Sequence, residues 1–245
     1  MEDERKLAAG QSGIILAGGR SARMGRNKAL LPVDGKPLLR RLAERMLALG
    51  MTRVIVACGT EARGAEYRAR LRELPGDLAF AVDRFPGSGP LAGLHAALGA
   101  MPEPGYAFAM ACDMPAISAS LYARMLRAAG EGGRFDEAAG RSDNGGASRT
   151  DAGESPASSP DSARLPQLIR TAGQPFHALY HTSAREELER RLRQHDLRVM
   201  PLLGALRSIE LSAEPDEEEA FVNLNTPELY ERFLRLRGDY DGLRQ

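Results

Sequence analysis

Short apolar runs alternate with amphipathic stretches along the first half of the chain. Residues 13–17 (Gly-Ile-Ile-Leu-Ala) are β-branched, apolar and bounded by glycine, the pattern of a strand buried on both faces. After a glycine-rich loop, residues 30–36 read as a short extended piece and turn, with Pro37 at the first position of a helix. Leu38, Leu39, Leu42, Met46 and Leu49 recur at three- and four-residue spacing among Arg40, Arg41, Glu44 and Arg45, and Gly50 stops the pattern. A second strand is predicted over 53–57 and a charge-rich helix over 61–74, closed by Pro75-Gly76. A third strand over 78–82 precedes a helix over 91–101, and a fourth over 106–111 precedes a helix over 119–129 with Ser118 as its N-cap. Strand, loop and helix thus repeat, which predicts a three-layer α/β/α fold around a mostly parallel, doubly wound, Rossmann-like sheet.

The rhythm stops at 130–164, where Gly, Ser, Ala, Asp, Glu and Arg dominate without apolar periodicity, so a flexible insertion is predicted there. Order resumes near Leu165. A strand is predicted over 174–181, a helix over 183–194, a short helix over 199–206, and brief strands over 208–211 and 220–222. Thr226 suits an N-cap and Pro227 the first position of a closing helix that runs to about 236. Leu229 stands where a capping box would need a carboxylate. With 245 residues, the simplest organisation is a single domain spanning 1–245 and interrupted by that insertion.

Charge and composition remove several classes of function. The 33 basic and 33 acidic residues cancel, so no global field draws the chain to nucleic acid or an anionic membrane, and any anion site must be local. Cys58 and Cys112 are too few for a disulfide framework and have no clustered partners for zinc. His95, His177, His181 and His195 show no metal-ligand spacing and are expected in packing or surface roles. The first 11 residues lack an apolar core and no apolar stretch approaches ~18 residues, so a cytoplasmic protein without a membrane span is expected.

The candidate chemistry begins where the first strand ends. Gly18, Gly19 and Gly25 lie among Arg20, Arg23, Arg26 and Lys28, at the strand edge where open α/β sheets bind ligands. The spacing fits neither a Walker A loop nor the dinucleotide fingerprint, which excludes a P-loop NTPase and weakens a nicotinamide reading. A phosphate cradle remains, with Arg23 and Lys28 as counter-charge. Asp113, just beyond the fourth strand, is the carboxylate that a Mg²⁺ bridging phosphate oxygens would need. Asp83, at the end of the neighbouring strand, is placed to accept hydrogen bonds from a base or ribose, with Gly87, Gly89 and Gly93 leaving room for a flat ring. Asn223 and Asn225 read equally as contacts to a second substrate or metal and as plain loop structure before the closing helix. No nucleophile and base pair up in the sequence, and a direct displacement needs none.

Leu16-Ala17-Gly18-Gly19, Arg23-Met24-Gly25, Lys28, Leu31-Pro32, Gly35-Lys36-Pro37-Leu38, Pro90-Leu91-Ala92-Gly93, Cys112-Asp113-Met114-Pro115 and Asn223-Leu224-Asn225-Thr226-Pro227 together resemble the molybdenum cofactor guanylyltransferases. The first motif marks the wider nucleotidyltransferase superfamily; its combination with the Pro-Leu-Ala-Gly and Asn-x-Asn-Thr-Pro segments is more specific. The resemblance implies GTP and molybdenum-loaded molybdopterin as substrates, Mg²⁺ as cofactor, and molybdoenzymes or their chaperones as recipients of the product. Residue by residue, it implies that Leu16, Ala17, Gly18 and Gly19 line the nucleotide site and Lys28 meets the phosphates. Asp83 then binds the nucleoside, and Asp113 binds nucleotide and metal. It departs at Ala57-Cys58-Gly59, where related chains often carry Asn, and at the long insertion. The neighbouring readings are a molybdopterin cytidylyltransferase, in which Ala tends to replace Gly18, a sugar- or polyol-phosphate nucleotidyltransferase, and a nucleotide-binding regulatory module.

Overall fold

Ile14 and Ile15 are adjacent in the chain, point to opposite faces of β1 (Ser12–Leu16), and are both fully buried. That is possible only because helices cover both faces of the sheet. The computed structural model describes residues 11–19, 25–139 and 165–236. Arg23, within 20–24, and the 140–164 part of the expected insertion lie outside the described residues.

After β1 come a two-residue hairpin, β2 (Pro32–Val33) and β3 (Lys36–Pro37), and helix α1 (Leu38–Ala48). Strand β4 (Arg53–Gly59) and helix α2 (Glu61–Leu71) follow, then β5 (Asp77–Val82) with α3 (Gly89–Gly99), and β6 (Tyr106–Ala111) with α4 (Ala119–Ala139). The second half adds β7 (Leu168–Thr171), β8 (His177–His181), α5 (Ala184–Arg193), α6 (Val199–Ala205), β9 (Ser208–Leu211) and α7 (Pro227–Leu236).

The sheet order is β5-β4-β1-β6-β8-β7-β9, in which β5, β4, β1 and β6 are parallel and β8 alone runs against its neighbours. One face carries Ile15, Val56, Phe108 and Met110 against α1, α2, α4 and α7. The other carries Ile14, Leu16, Ile55 and Ala109 against α3, α5 and α6. The expected three-layer architecture is therefore present. The chain winds from β1 outward through β4 to β5, then returns to lay β6 on the other side of β1. Consecutive loops part at this reversal and open a crevice at the carboxyl ends of the strands.

The structure corrects three local expectations and adds one strand. Pro37 ends β3 instead of opening a helix, because Asp34 and Gly35 both take positive φ (48° and 71°), the two-residue turn that closes a tight hairpin; α1 starts one residue later. Helix α4 continues to Ala139 where a stop at 129 was expected, since extending a formed helix needs no new nucleus. Residues 220–222 do not pair as a strand. They close a 3-10 helix, Pro215–Phe221, whose start is held by the Glu217 carboxylate accepting the Glu214 amide at 2.9 Å. Strand β7, whose four residues are too short a run for periodicity to single out, fills the sheet between β8 and β9. Ser118 does cap α4, accepting the Leu121 amide at 3.2 Å, and Thr226 accepts from Leu229 at 3.4 Å.

Candidate active site

The end of β1 is held on both sides by backbone. Ala17 donates to the Ala57 carbonyl at 2.9 Å, and Cys112 donates to the Leu16 carbonyl at 3.1 Å, which sets the loops after β1, β4 and β6 side by side. Gly18 and Gly59 meet at their tips. A Cβ on Gly18 would lie 3.2 Å from Gly59 Cα, and Gly59 itself has φ +78°, so this approach tolerates glycine best at both positions. Gly18 thus has a packing reason in this chain, whatever it contributes to base selection.

Three distant segments converge on one cation. Lys28 opens a 3-10 turn whose N-cap, Asn27, accepts the Ala29 amide at 3.2 Å. Its ammonium donates to Asp113 Oδ2 at 3.0 Å and to Asn225 Oδ1 at 2.6 Å. The Asp113 carbonyl accepts from the Leu224 amide at 2.8 Å, so the 223–225 segment is fastened to the loop after β6 by main chain and side chain together. The Lys28 and Asp113 side chains are 14% and 18% exposed, enough shelter to strengthen the charge pair and enough opening for a ligand. The Asn225 oxygen is spent on Lys28, while Asn223 lines the cleft and anchors its amide nitrogen on the Phe221 carbonyl at 3.1 Å.

These groups line one end of a cleft of about 720 Å³ whose walls include Gly18, Gly19, Lys28, Asp113 and Asn223. At the other end lie Asp83, Pro86, Gly87, Gly89 and Gly93. Asp83 follows β5, which is separated from β1 by β4, so it reaches the cleft from two strands away and not from an adjacent one. Its amide donates to the Gly59 carbonyl at 3.3 Å. Asp83 Oδ1 is buried with no hydrogen-bond partner among the described residues, and burial lifts the carboxyl to about 6 against the lowering pull of Arg63. Gly93 presents its backbone beside it: a Cβ there would stand 3.3 Å from Ala57 Cβ and 3.8 Å from Asp83 Oδ1. The result is a narrow place between Gly93 and Ala57 beside a carboxylate oxygen unsatisfied among the described residues, in the same cleft as the Lys28 ammonium.

Every described candidate, namely Leu16, Ala17, Gly18, Gly19, Lys28, Asp83, Asp113, Asn223 and Asn225, therefore stands at or directly against the one cleft. Sequence reading missed Thr60, Arg63 and Phe176, which also line it. Thr60 N-caps α2, accepting from the Arg63 amide at 3.4 Å, so the first turn of that helix faces the glycine loop. A Thr before Glu-Ala-Arg was the available signal. Phe176, whose carbonyl accepts from Ala111 at 3.1 Å, had none. Among the described residues no three of His, Cys, Asp and Glu gather into a metal cage. The donor set is one carboxylate, Asp113, with the Asn223 amide nearby, which fits a cation that draws its remaining ligands from phosphates and water. His95, His177 and His181 are buried and His195 is exposed; Cys58 is buried and Cys112 half-buried, both unbonded to another sulfur. No described helix is long and apolar enough to cross a membrane.

Residues 13–209 match the MobA-like NTP transferase domain. A "Probable molybdenum cofactor guanylyltransferase" from Pelotomaculum thermopropionicum is 35% identical over 225 residues, covering 88% of each chain. The molybdenum cofactor guanylyltransferase of Pseudomonas paraeruginosa is 32% identical over 231 residues, covering 91% of this chain and 94% of its own. In fold, the chain is similar to molybdopterin-guanine dinucleotide biosynthesis protein A from Archaeoglobus fulgidus, with a TM-score of 0.64 at 20% identity, over 93% of this chain and 99% of that one.

Proposed function

The chain belongs to the MobA-like NTP transferase family, a family of nucleotidyltransferases, and from that premise we propose that it transfers GMP from GTP to the terminal phosphate of molybdenum-loaded molybdopterin. The products are the guanine dinucleotide form of the cofactor and pyrophosphate. The observation that carries this reading is the meeting of Lys28, Asp113 and Asn225 from three distant segments at the phosphate end of the cleft.

In this reaction the terminal phosphate of molybdopterin attacks the α-phosphorus of GTP, the bond to the β-phosphate oxygen breaks, and pyrophosphate leaves with the electron pair. The attacking group is already anionic, so no general base is required. The chain's work is to position the reactants and offset charge. Gly18 and Gly19 offer backbone amides to the phosphates and Lys28 supplies a sheltered positive charge; Arg23, outside the described residues, is assigned the role of a further counter-charge from its sequence position alone. The slot formed by Gly93 and Ala57 takes the nucleoside, and the orphaned Asp83 oxygen accepts from its donors. Asn223 faces the incoming molybdopterin. The cation, which we take as Mg²⁺, would be held by Asp113 and would neutralise charge building on the phosphate oxygens.

The test is turnover by the pure protein with Mg²⁺, molybdenum-loaded molybdopterin and either GTP or CTP, following dinucleotide and pyrophosphate. Guanine dinucleotide from GTP is the expected product. Turnover with CTP alone, or with a sugar phosphate as the only acceptor, would replace the assignment.

A further inference from the structure

One helix takes up both backbone carbonyls at the start of the glycine loop. Arg63 and Tyr67 lie four residues apart on α2, so their side chains leave the same face. The Tyr67 hydroxyl donates to the Ala17 carbonyl at 3.0 Å, and the Arg63 guanidinium donates to the Gly18 carbonyl. In a planar trans peptide the N–H points opposite to the C=O. Turning the Ala17 and Gly18 carbonyls toward α2 therefore aims the Gly18 and Gly19 amides away from it, and both glycines line the cleft.

The same phenol reaches the far end of the loop. Its oxygen accepts from Asn27 Nδ2 at 3.0 Å, and Asn27 Oδ1 accepts from the Ala29 amide at 3.2 Å. This order of donors and acceptors uses the single hydroxyl proton once. Residues 17 and 27, on either side of the 20–24 segment, are thus tied through one fully buried side chain, and the residue after Asn27 is Lys28. Burial raises the Tyr67 hydroxyl to about 12, so it remains a donor.

We propose that Tyr67, acting with Asn27 and Arg63, is the positioning residue of the triphosphate end: it fixes both ends of the glycine loop so that the Gly18 and Gly19 amides and the Lys28 ammonium are delivered to the same ligand. The proposal rests on the nucleotide reading above. A tyrosine that merely filled the core would affect all ligands alike; one that sets the loop affects the phosphates.

The experiment compares wild type with Tyr67→Phe, Asn27→Ala and the double variant, measuring affinity for GTP and for guanosine by calorimetric titration and displacement, with urea unfolding as a control. Each single variant is expected to weaken GTP about tenfold, the worth of an ordinary hydrogen bond, while guanosine stays within about twofold. The double variant should lose no more than the worse single one, because the two residues act through one chain of bonds. GTP affinity within about twofold of wild type in Tyr67→Phe, equal weakening of guanosine and GTP, or additive losses would overturn the proposal. If Tyr67→Phe does not fold, Asn27→Ala carries the test under the same criteria. A wild-type protein that binds no GTP would instead overturn the nucleotide reading, and this proposal with it.

Discussion

Lys28 is held between a carboxylate and an amide oxygen, at 3.0 Å from Asp113 and 2.6 Å from Asn225, so its charge is in place before any ligand arrives. A preorganised charge of this kind stabilises the transition state without reorganising at the moment of reaction. Lys28→Ala is accordingly expected to lower kcat on the order of 10²–10³. The fold should be retained, because the truncated side chain leaves Asp113 next to an open cleft. Steady-state kinetics with far-UV circular dichroism check this; a loss below about tenfold would remove Lys28 from the catalytic set. Asp113→Asn preserves shape and removes the charge that would hold a divalent cation. Metal-dependent turnover should disappear while the unfolding midpoint stays near that of wild type, as read by activity over a Mg²⁺ or Mn²⁺ titration and by urea denaturation. The place of both residues in the cleft was legible in the sequence, since a Lys after a glycine loop and an Asp after a strand are set at the sheet edge by their position. Arg63 and Tyr67 were not. They sit in a helix whose charge-rich pattern singles out neither of them, and their role depends on which carbonyl lies opposite.

At the scale of elements, the site is made by loops that the parallel strands bring together, and the tightest junction is that between the loops after β1 and β4. Gly59 combines φ +78° with a Cβ position 3.1 Å from Gly18 Cα. Gly59→Ala must carry both a left-handed backbone, about 1–2 kcal/mol for a non-glycine residue, and a forced separation of the two loops. The expected outcome is a stability loss of roughly that size or more in urea unfolding, together with weaker GTP binding, because Gly18 moves with Gly59. The strand and helix series was readable from periodicity, and with it the edge where the crevice opens. The 3-10 helix Pro215–Phe221 was not, because its start rests on the Glu217 carboxylate, which accepts the Glu214 amide while it pairs with Arg124 from the distant α4, contacts that no period reveals. Pro37 misled for a related reason: the positive φ values of Asp34 and Gly35 close a hairpin first, and turn chemistry there outweighs proline's preference for a first helical position.

Over the whole molecule, buried ionisable groups set the acid limb of stability, and two of them act in opposite directions. His177 packs between the rings of Phe108 and Phe221 at 4.9 and 5.4 Å, fully buried, with neither ring nitrogen bonded among the described residues. Burial lowers its pKa to about 4, with Glu217 pulling the other way. The unfolded chain protonates this histidine near 6.5, so between about 6.5 and 4 the unfolded state binds more protons and stability falls as pH falls, by up to about 3 kcal/mol. His95 and His181, both lowered chiefly by burial, add to the same limb. Asp83 opposes them. Its folded pKa of about 6 lies above the ordinary 3.8, so the folded state holds that proton more tightly, and the stability it confers is present at low pH and lost as pH rises through about 6. His177→Phe, which keeps an aromatic ring in the gap, is therefore expected to make the decline between pH 6.5 and 4 shallower. Asp83→Asn should make it steeper, because the compensating proton is gone. Urea unfolding at pH 7.5, 5.5 and 4.5 separates the two, and slopes that move in the same direction in both variants would refute the assignment. The same Asp83 proton links stability to ligand. Above pH 6 the ligand-free cleft keeps a carboxylate whose Oδ1 has no hydrogen-bond partner among the described residues, so GTP should protect Asp83-containing protein more at pH 7.5 than at pH 5, and that difference should vanish in Asp83→Asn.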